Sequence, residues 1–185
     1  FFDMINNKVT CLGEHVNMRT IRKSDSKIFM SWNDLDEKNR YFPNNNFINE
    51  IKNEFWIDRK LADKNGIYLM IKDSKTNSSI GITIIENIDF ENSIANWGIY
   101  IAKRNFMKKI YVNEAACLIL NYAFENLNLN KINACALSNN QIGRKFHKDL
   151  GFNEEAIFNN QVLIDGYYCD LIWASLTKND FKFIT

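Results

Sequence analysis

The sequence predicts an α+β fold: a mixed, mostly antiparallel central sheet with helices on both faces. Three observations carry this. Runs at period two and runs at helical spacing alternate in the order β-α-α-β-β-β-α-β-α-β-β. The stretch from Ala115 to Phe152 passes from a long amphipathic helix through a short apolar strand and an Asn-rich turn into a second short helix. Two late apolar runs flank Asp165-Gly166, a strong signal for a closing hairpin.

Val16 to Arg22 alternates with Val16, Met18 and Thr20 on one face and reads as the first strand. Ser24-Asp25 offers an N-cap for a helix that places Ile28, Phe29, Trp32 and Leu35 at helical spacing. Pro43 falls in a turn, Tyr41-Phe42-Pro43-Asn44. Ile48 to Ala62 reads as a second helix, with Ile51, Phe55 and either Ile57 or Lys60-Leu61 inward, ended by Asn65-Gly66. Ile67 to Ile71 and Ile80 to Ile88 form a hairpin around a polar turn. Ala95 to Ala102 is a strand with Trp97, Ile99 and Ile101 on one face. A helix runs from near Asn113 to near Asn126, then a strand from Lys131 to Leu137. Gln141 to Leu150 is a helix with Gly151 as its left-handed C-terminal residue. Val162–Ile164 and Tyr168–Leu176 are the closing strands.

The 185 residues fit one domain over 1–185, and 46% hydrophobic with 24% charged residues is the balance of a globular core. A net charge of +1 without a block of like charges argues against a direct nucleic-acid footprint. Cys11, Cys117, Cys135 and Cys169 are scattered, with only His15 and His147 to assist, so no metal site is expected. No apolar run approaches a membrane span and no signal peptide is evident, which points to a reducing cytoplasm.

Several segments resemble the GNAT superfamily of N-acetyltransferases. Met18-Arg19-Thr20-Ile21-Arg22 with Ser24-Asp25 resembles that family's opening strand-to-helix passage, and Trp97-Gly98-Ile99-Tyr100-Ile101 its central strand. Asn140, Phe146 and Leu150-Gly151-Phe152 resemble its N-x-x-S…LGF signature. Ile164 to Asp170 is similar to the closing hairpin of the ribosomal-protein-alanine acetyltransferase branch (RimJ/RimL-like). The resemblance covers about Val16 to Phe181. It implies a GNAT fold with a splayed central strand pair, acetyl-CoA as co-substrate and an amine as acceptor, and it leaves a homodimer open.

The resemblance also assigns candidate residues. The family places a Gly-rich loop at a helix start, where free N–H groups and the positive dipole end meet the coenzyme's pyrophosphate. The matching span here is Met107 to Val112 followed by Asn113, and both glycines are absent. Two alternatives stay open. Lys108, Lys109 and the amides of Ile110, Tyr111, Val112 and Asn113 hold the phosphates, or larger side chains obstruct the loop. Lys103, Arg104, Lys108 and Lys109 form the densest cationic cluster. Ile99, Tyr100 and Ile101 would line the splay between Ala95–Ala102 and Lys131–Leu137. Asn140 would contact the pantetheine arm, with capping of the following helix as a compatible role.

The family's proton-donating Tyr, seven residues after that Asn, is replaced by His147, an imidazole that titrates near neutrality. Gly143, four residues earlier, would leave open space beside the ring, and Ser138 is an auxiliary donor. A family Glu on the central strand corresponds to Asn96, which leaves Glu86 or a water chain as base. Tyr41-Phe42 and Trp32 would border the acceptor pocket. The acceptor classes the resemblance admits are a protein N-terminus, a polyamine, an aminosugar and an aminoglycoside. The alternative from another class is a non-catalytic GNAT-fold binding module, favoured by the missing glycines, the absent Tyr and Asn96.

Overall fold

The computed structural model describes residues 9–32 and 54–183. Leu35, Tyr41, Phe42, Pro43, Ile51 and the start of the second expected helix lie outside the described residues. The strands are β1 (Thr10–Leu12), β2 (Val16–Thr20), β3 (Ile67–Asp73), β4 (Ser79–Asp89), β5 (Ile94–Ile101), β6 (Lys131–Leu137), β7 (Asn153–Ile164) and β8 (Tyr167–Thr177). They form one sheet in the order β1-β2-β3-β4-β5-β6-β8-β7. Every neighbouring pair is antiparallel except β5 and β6. The described helices are α1 (Ser26–Ser31), α2 (Glu54–Ala62), α3 (Lys109–Asn121), continued by a π turn over Tyr122–Asn126, and α4 (Gln141–Asp149).

Two cores lie on the two faces. Val16, Met18, Leu69, Ile71, Trp97, Ile132 and Ala134 pack with Ala115, Ala116, Ile119, Leu120 and Phe124 of α3 and its continuation. On the other face Met70, Ile82 and Tyr100 pack with Phe29 of α1, with Trp32 just after it, and with Trp56 and Ile57 of α2. The sheet is apolar on both faces through its centre, so β3 reads as a continuous apolar run rather than an alternation.

Several local expectations change. On α2 the expected Ile57 is buried, but Trp56 takes the inward place expected of Phe55, which is 71% exposed. Asp25 does not cap α1. Its carboxylate turns back to accept from the Arg22 amide at 2.8 Å and pairs with both Nη atoms of Arg19, at 2.8 and 2.7 Å. Helix α3 starts at Lys109, four residues before Asn113. Strand β7 is 12 residues long rather than three, and β1 was not anticipated. Gly151, at φ 97°, ends α4 in the left-handed conformation, and Asp165 (φ 50°) with Gly166 (φ 84°) makes the tight turn of the closing hairpin.

Candidate functional site

The parting of β5 from β6 is the central feature. Their ladder holds Ile94↔Lys131, Ala95↔Ile132 and Asn96↔Asn133 and then stops, although β5 continues to Ile101 and β6 to Leu137. Each remains paired on its far side, β5 with β4 through Ile101 and β6 with β8 through Leu137. A wedge therefore opens inside the sheet. The Ala102 amide donates to Ile80 O on the β4 side at 2.7 Å. Backbone groups of an extended strand alternate in direction, so Gly98 and Tyr100 also face β4, while Ile99 and Ile101 turn their amides and carbonyls into the wedge.

The three residues assigned to the splay thus divide. Ile99 and Ile101 present hydrogen-bonding backbone to it. Tyr100 does not, and its ring packs on the opposite face beside Trp32 at 5.9 Å, where burial pushes its phenol up to about 12.

The first turn of α3 follows β5 after the short connection that includes Arg104–Phe106. Lys108 is the N-cap residue, with extended backbone and no capping side chain. The Tyr111 and Val112 amides both donate to Lys108 O, at 3.1 and 3.3 Å. The amides of Lys109 and Ile110 are those that helix geometry leaves without an intrahelical partner. The expected amide set is corrected accordingly: Asn113 lies in the second turn, where its N–H is used inside the helix. Tyr111 and Val112 pack against the core, Tyr111 on Phe106 at 5.0 Å, rather than standing across the helix start. Lys108 is exposed; Lys109 reaches Asp149 at the end of α4, Nζ to Oδ2 3.0 Å. Lys109 and then Lys145 hold the Asp149 carboxyl below its ordinary range.

Helix α4 begins at the end of β6. Asn140 is its cap: Oδ1 accepts from the Gly143 amide at 2.9 Å. Gly143 does not leave space beside the imidazole. A Cβ there would lie 2.6 Å from Asn140 Nδ2, so the capping amide itself fills the position. Ser138 sits between the elements, its amide donating to Asp170 O at 2.9 Å and its carbonyl accepting from Arg144 Nη1 at 3.1 Å. Phe146 is half-buried against Trp97, ring centroids 6.1 Å apart.

His147 packs among Trp97 (5.9 Å), Phe152 (5.5 Å) and Phe146 (6.2 Å). Burial pushes its pKa down to about 4, against an opposing pull from Glu154. This moves the ring away from the near-neutral titration that the sequence suggests, because an imidazolium would lose hydration among the apolar rings. The Trp97 indole N–H donates to Thr83 Oγ1 at 3.0 Å, and that hydroxyl donates to Gly98 O at 2.9 Å, which fixes this part of β5.

Glu86 lies on the other face, opposite Asn96 in the β4–β5 ladder. Its Oε1 accepts from Lys60 Nζ at 2.7 Å and from Tyr68 Oη at 3.0 Å, and the Lys60 ammonium lies 4.8 Å from the Tyr68 ring centre. Asn96 Oδ1 faces Asn133 Nδ2 at 3.4 Å, at the vertex where the strands part. A cavity of about 540 Å³ lies between α4 and the β7–β8 side of the sheet, with Ala136, Ile172 and Ala174 among its apolar lining and Arg144, Lys145 and Lys148 among its charged lining. His147 and Phe152 also line it, and no β5 residue does. Among the described residues no group of His, Cys, Asp and Glu is arranged to hold a metal ion, and no helix is long and apolar enough to cross a membrane.

Sequence reasoning missed the ties that cross the fold. Lys60–Glu86, Lys109–Asp149, Arg144–Glu154 and the contacts of Glu114 join residues whose meeting has no local signature. Gly13, alone in a short turn, was the only available hint of the last.

The comparisons agree with this geometry. The model of the acetyltransferase (GNAT) domain matches residues 15–153. The putative ribosomal N-acetyltransferase YdaF of Bacillus subtilis (strain 168) is 33% identical over 125 residues, which are 67% of this chain and 66%, just under two thirds, of that relative. A crystal structure of a probable acetyltransferase superposes with TM-score 0.77 at 27% identity, covering 94% of this chain and 99% of the other. The spermidine N-acetyltransferase of Vibrio cholerae, crystallised in complex with CoA and spermine, shares the fold with TM-score 0.79 at 18% identity over 91% of this chain and 98% of its own. A sheet that parts beside a helix start, read together with these matches, makes this chain a member of the GNAT acetyltransferase family.

Proposed function

We propose that this chain moves an acetyl group from acetyl-CoA directly to a primary amine, within one catalytic domain and in a reducing cytoplasm. The observation that carries the proposal is the wedge between β5 and β6, open along Ile99 and Ile101 and followed in the chain by the bare amides of Lys109 and Ile110. The residues fit the coenzyme. An extended pantetheine arm with its amides matches an open strand edge, and a diphosphate matches a helix start carrying Lys108 and Lys109. The absent glycines do not remove those donors: Tyr111 and Val112 turn into the core, and Ile110 is the replacement that stands exposed beside the helix start.

In the reaction the neutral amine attacks the thioester carbonyl, the C–S bond breaks, and CoA leaves as thiolate while the amine nitrogen loses a proton to water. The neutral His147 acts as a hydrogen-bonding group for the sulfur and not as an imidazolium acid. Ser138 supplies a further hydroxyl at the end of β6, and Asn140 orients the α4 start. Glu86, held by Lys60 and Tyr68, shapes the charge of the opposite face while the amine proton leaves through solvent. The acceptor is taken to be a peptide or protein amine before a polyamine, aminosugar or aminoglycoside, in line with the ribosomal name of the 33%-identical relative.

The experiment is calorimetric titration with CoA and acetyl-CoA, followed by thiol release with an N-terminal alanine peptide, spermidine, glucosamine and kanamycin. Micromolar coenzyme binding with turnover on the peptide is the expected result. Coenzyme binding without turnover on any amine favours the binding-module reading, and no binding at millimolar coenzyme overturns the assignment of the wedge.

A further inference from the structure

Glu114 sits on α3, one helical turn beyond Ile110, and its carboxylate leaves the helix altogether. Oε1 accepts from the Glu14 amide at 2.7 Å, and Oε2 accepts from the His15 and Val16 amides at 2.8 and 2.7 Å. Three consecutive backbone donors converging on one side chain make a carboxylate nest, here in the turn between β1 and β2, about a hundred residues away in sequence. Gly13 completes it. A Cβ at Gly13 would lie 2.7 Å from Glu114 Cδ and 2.8 Å from Val16 O, the latter a backbone atom that has no room to give. The His15 ring meets Tyr111, one turn earlier on α3, edge-on at 6.0 Å. The same turn therefore grips the first two turns of α3 twice on one face, as the spacing of 111 and 114 requires.

We infer that Glu114 is the positioning residue for the coenzyme's diphosphate, acting through the α3 start. This rests on the wedge reading above. Anion binding at a helix start depends on where the bare amides point and falls off within a turn. Without the glycines that let a backbone cradle close around phosphate, Lys109 and Ile110 offer a narrow set of donors whose aim must be fixed from outside. The clamp fixes it. Each N–H to carboxylate bond is charge-assisted, and the three donors spend the negative charge of Glu114 within the turn, so that it does not oppose an anion at the helix start. A clamp of this kind acts on the diphosphate end first, since the backbone at Ile99 and Ile101 is fixed by its ladder with β4, while their side chains share a core with α3.

The test separates the two ends of the coenzyme. In Glu114→Gln the KM for acetyl-CoA is expected to rise at least fivefold, with kcat within twofold and the KM for S-acetylpantetheine, which lacks the diphosphate, unchanged. Gly13→Ala, which leaves the carboxylate in place but forces its Cβ against Glu114 Cδ and Val16 O in the nest, is expected to do the same. Equal rises for both donors, or no rise for either, overturn the inference. If both variants unfold, wild-type hydrogen exchange decides. Coupling is reciprocal, so CoA, and not pantetheine, is expected to slow exchange at Glu14, His15 and Val16. Unchanged exchange in a protein that binds CoA overturns the clamp's role, whereas wild type that fails to bind CoA overturns the wedge reading instead.

Discussion

Helices α3 and α4 both start beside a parallel strand, yet they are held by opposite means. In α3, Ala115, Ala116, Cys117, Ile119 and Leu120 are buried, its N-cap residue contributes no side-chain bond, and its polar attachments are the distant Glu114 nest and the exposed Lys109–Asp149 pair to α4. In α4 no residue is fully buried. It is held by the Asn140 cap, the Arg144 pair with both oxygens of Glu154 at 2.7 and 2.9 Å, and the Lys145–Asp149 pair at 3.1 Å. The diphosphate end of the proposed site therefore stands on core packing, while the sulfur end stands on a lightly docked helix whose one deep contact is the ring set around His147.

The largest expected effect breaks the α3 side. Phe124, fully buried and packed at a tilt against Phe181 with ring centroids 5.2 Å apart, should lose about 3–5 kcal/mol on replacement by Ala, read as a lowered urea midpoint with unchanged slope. A loss below about 1 kcal/mol would mean that α3 is no better anchored than α4.

The next concerns α4 and pH. Burial lowers His147 from an ordinary 6.5 to about 4. The unfolded chain therefore takes up a proton between those values that the folded chain refuses. Stability is full above about pH 6.5, falls as pH drops towards 4, and levels off below. At 1.4 kcal/mol per unit the whole window amounts to about 3 kcal/mol, with about 2 kcal/mol lost by pH 5. Urea unfolding at pH 7.5 and 5.0 measures it, and His147→Phe should flatten the difference. A variant with the wild-type slope would place the ring in water.

The smallest sharpens the contrast in caps. Asn140→Ala should lose about 1 kcal/mol and Asn140→Asp should retain most of it, whereas Lys108→Ala at the uncapped α3 start should fall within about 0.5 kcal/mol of wild type in the absence of coenzyme. Thermal unfolding of the three variants checks the order, and equal losses at both starts would remove the distinction.

Legibility followed the same division. Strand β6 was readable to the residue because Ile132, Ala134 and Ala136 are buried on the helix-covered face and the run is bounded by polar turns. Strand β7 was not, since it is an edge strand exposed on most positions, and Asn153-Glu154-Glu155 and Asn159-Asn160 carry no alternation. The start of α3 was placed late because Lys109-Ile110-Tyr111-Val112 contains two β-branched residues and lacks a capping side chain, so local propensity argued against the turn that packing imposes. Phe55 and Trp56 are indistinguishable as apolar neighbours on α2, and only docking on the sheet selects Trp56.

The order of elements, the Asp165-Gly166 turn, the left-handed Gly151 and the family motif from Asn140 to Phe152 were settled by local chemistry, because periodicity and permitted φ values act over a few residues. Tertiary structure alone decided that the ladder between β5 and β6 ends at Asn96, that Glu114 closes on a turn a hundred residues away, and that burial lowers the pKa of His147. Each of these depends on which distant backbone or ring removes water from a group, and desolvation is a property of the assembled fold.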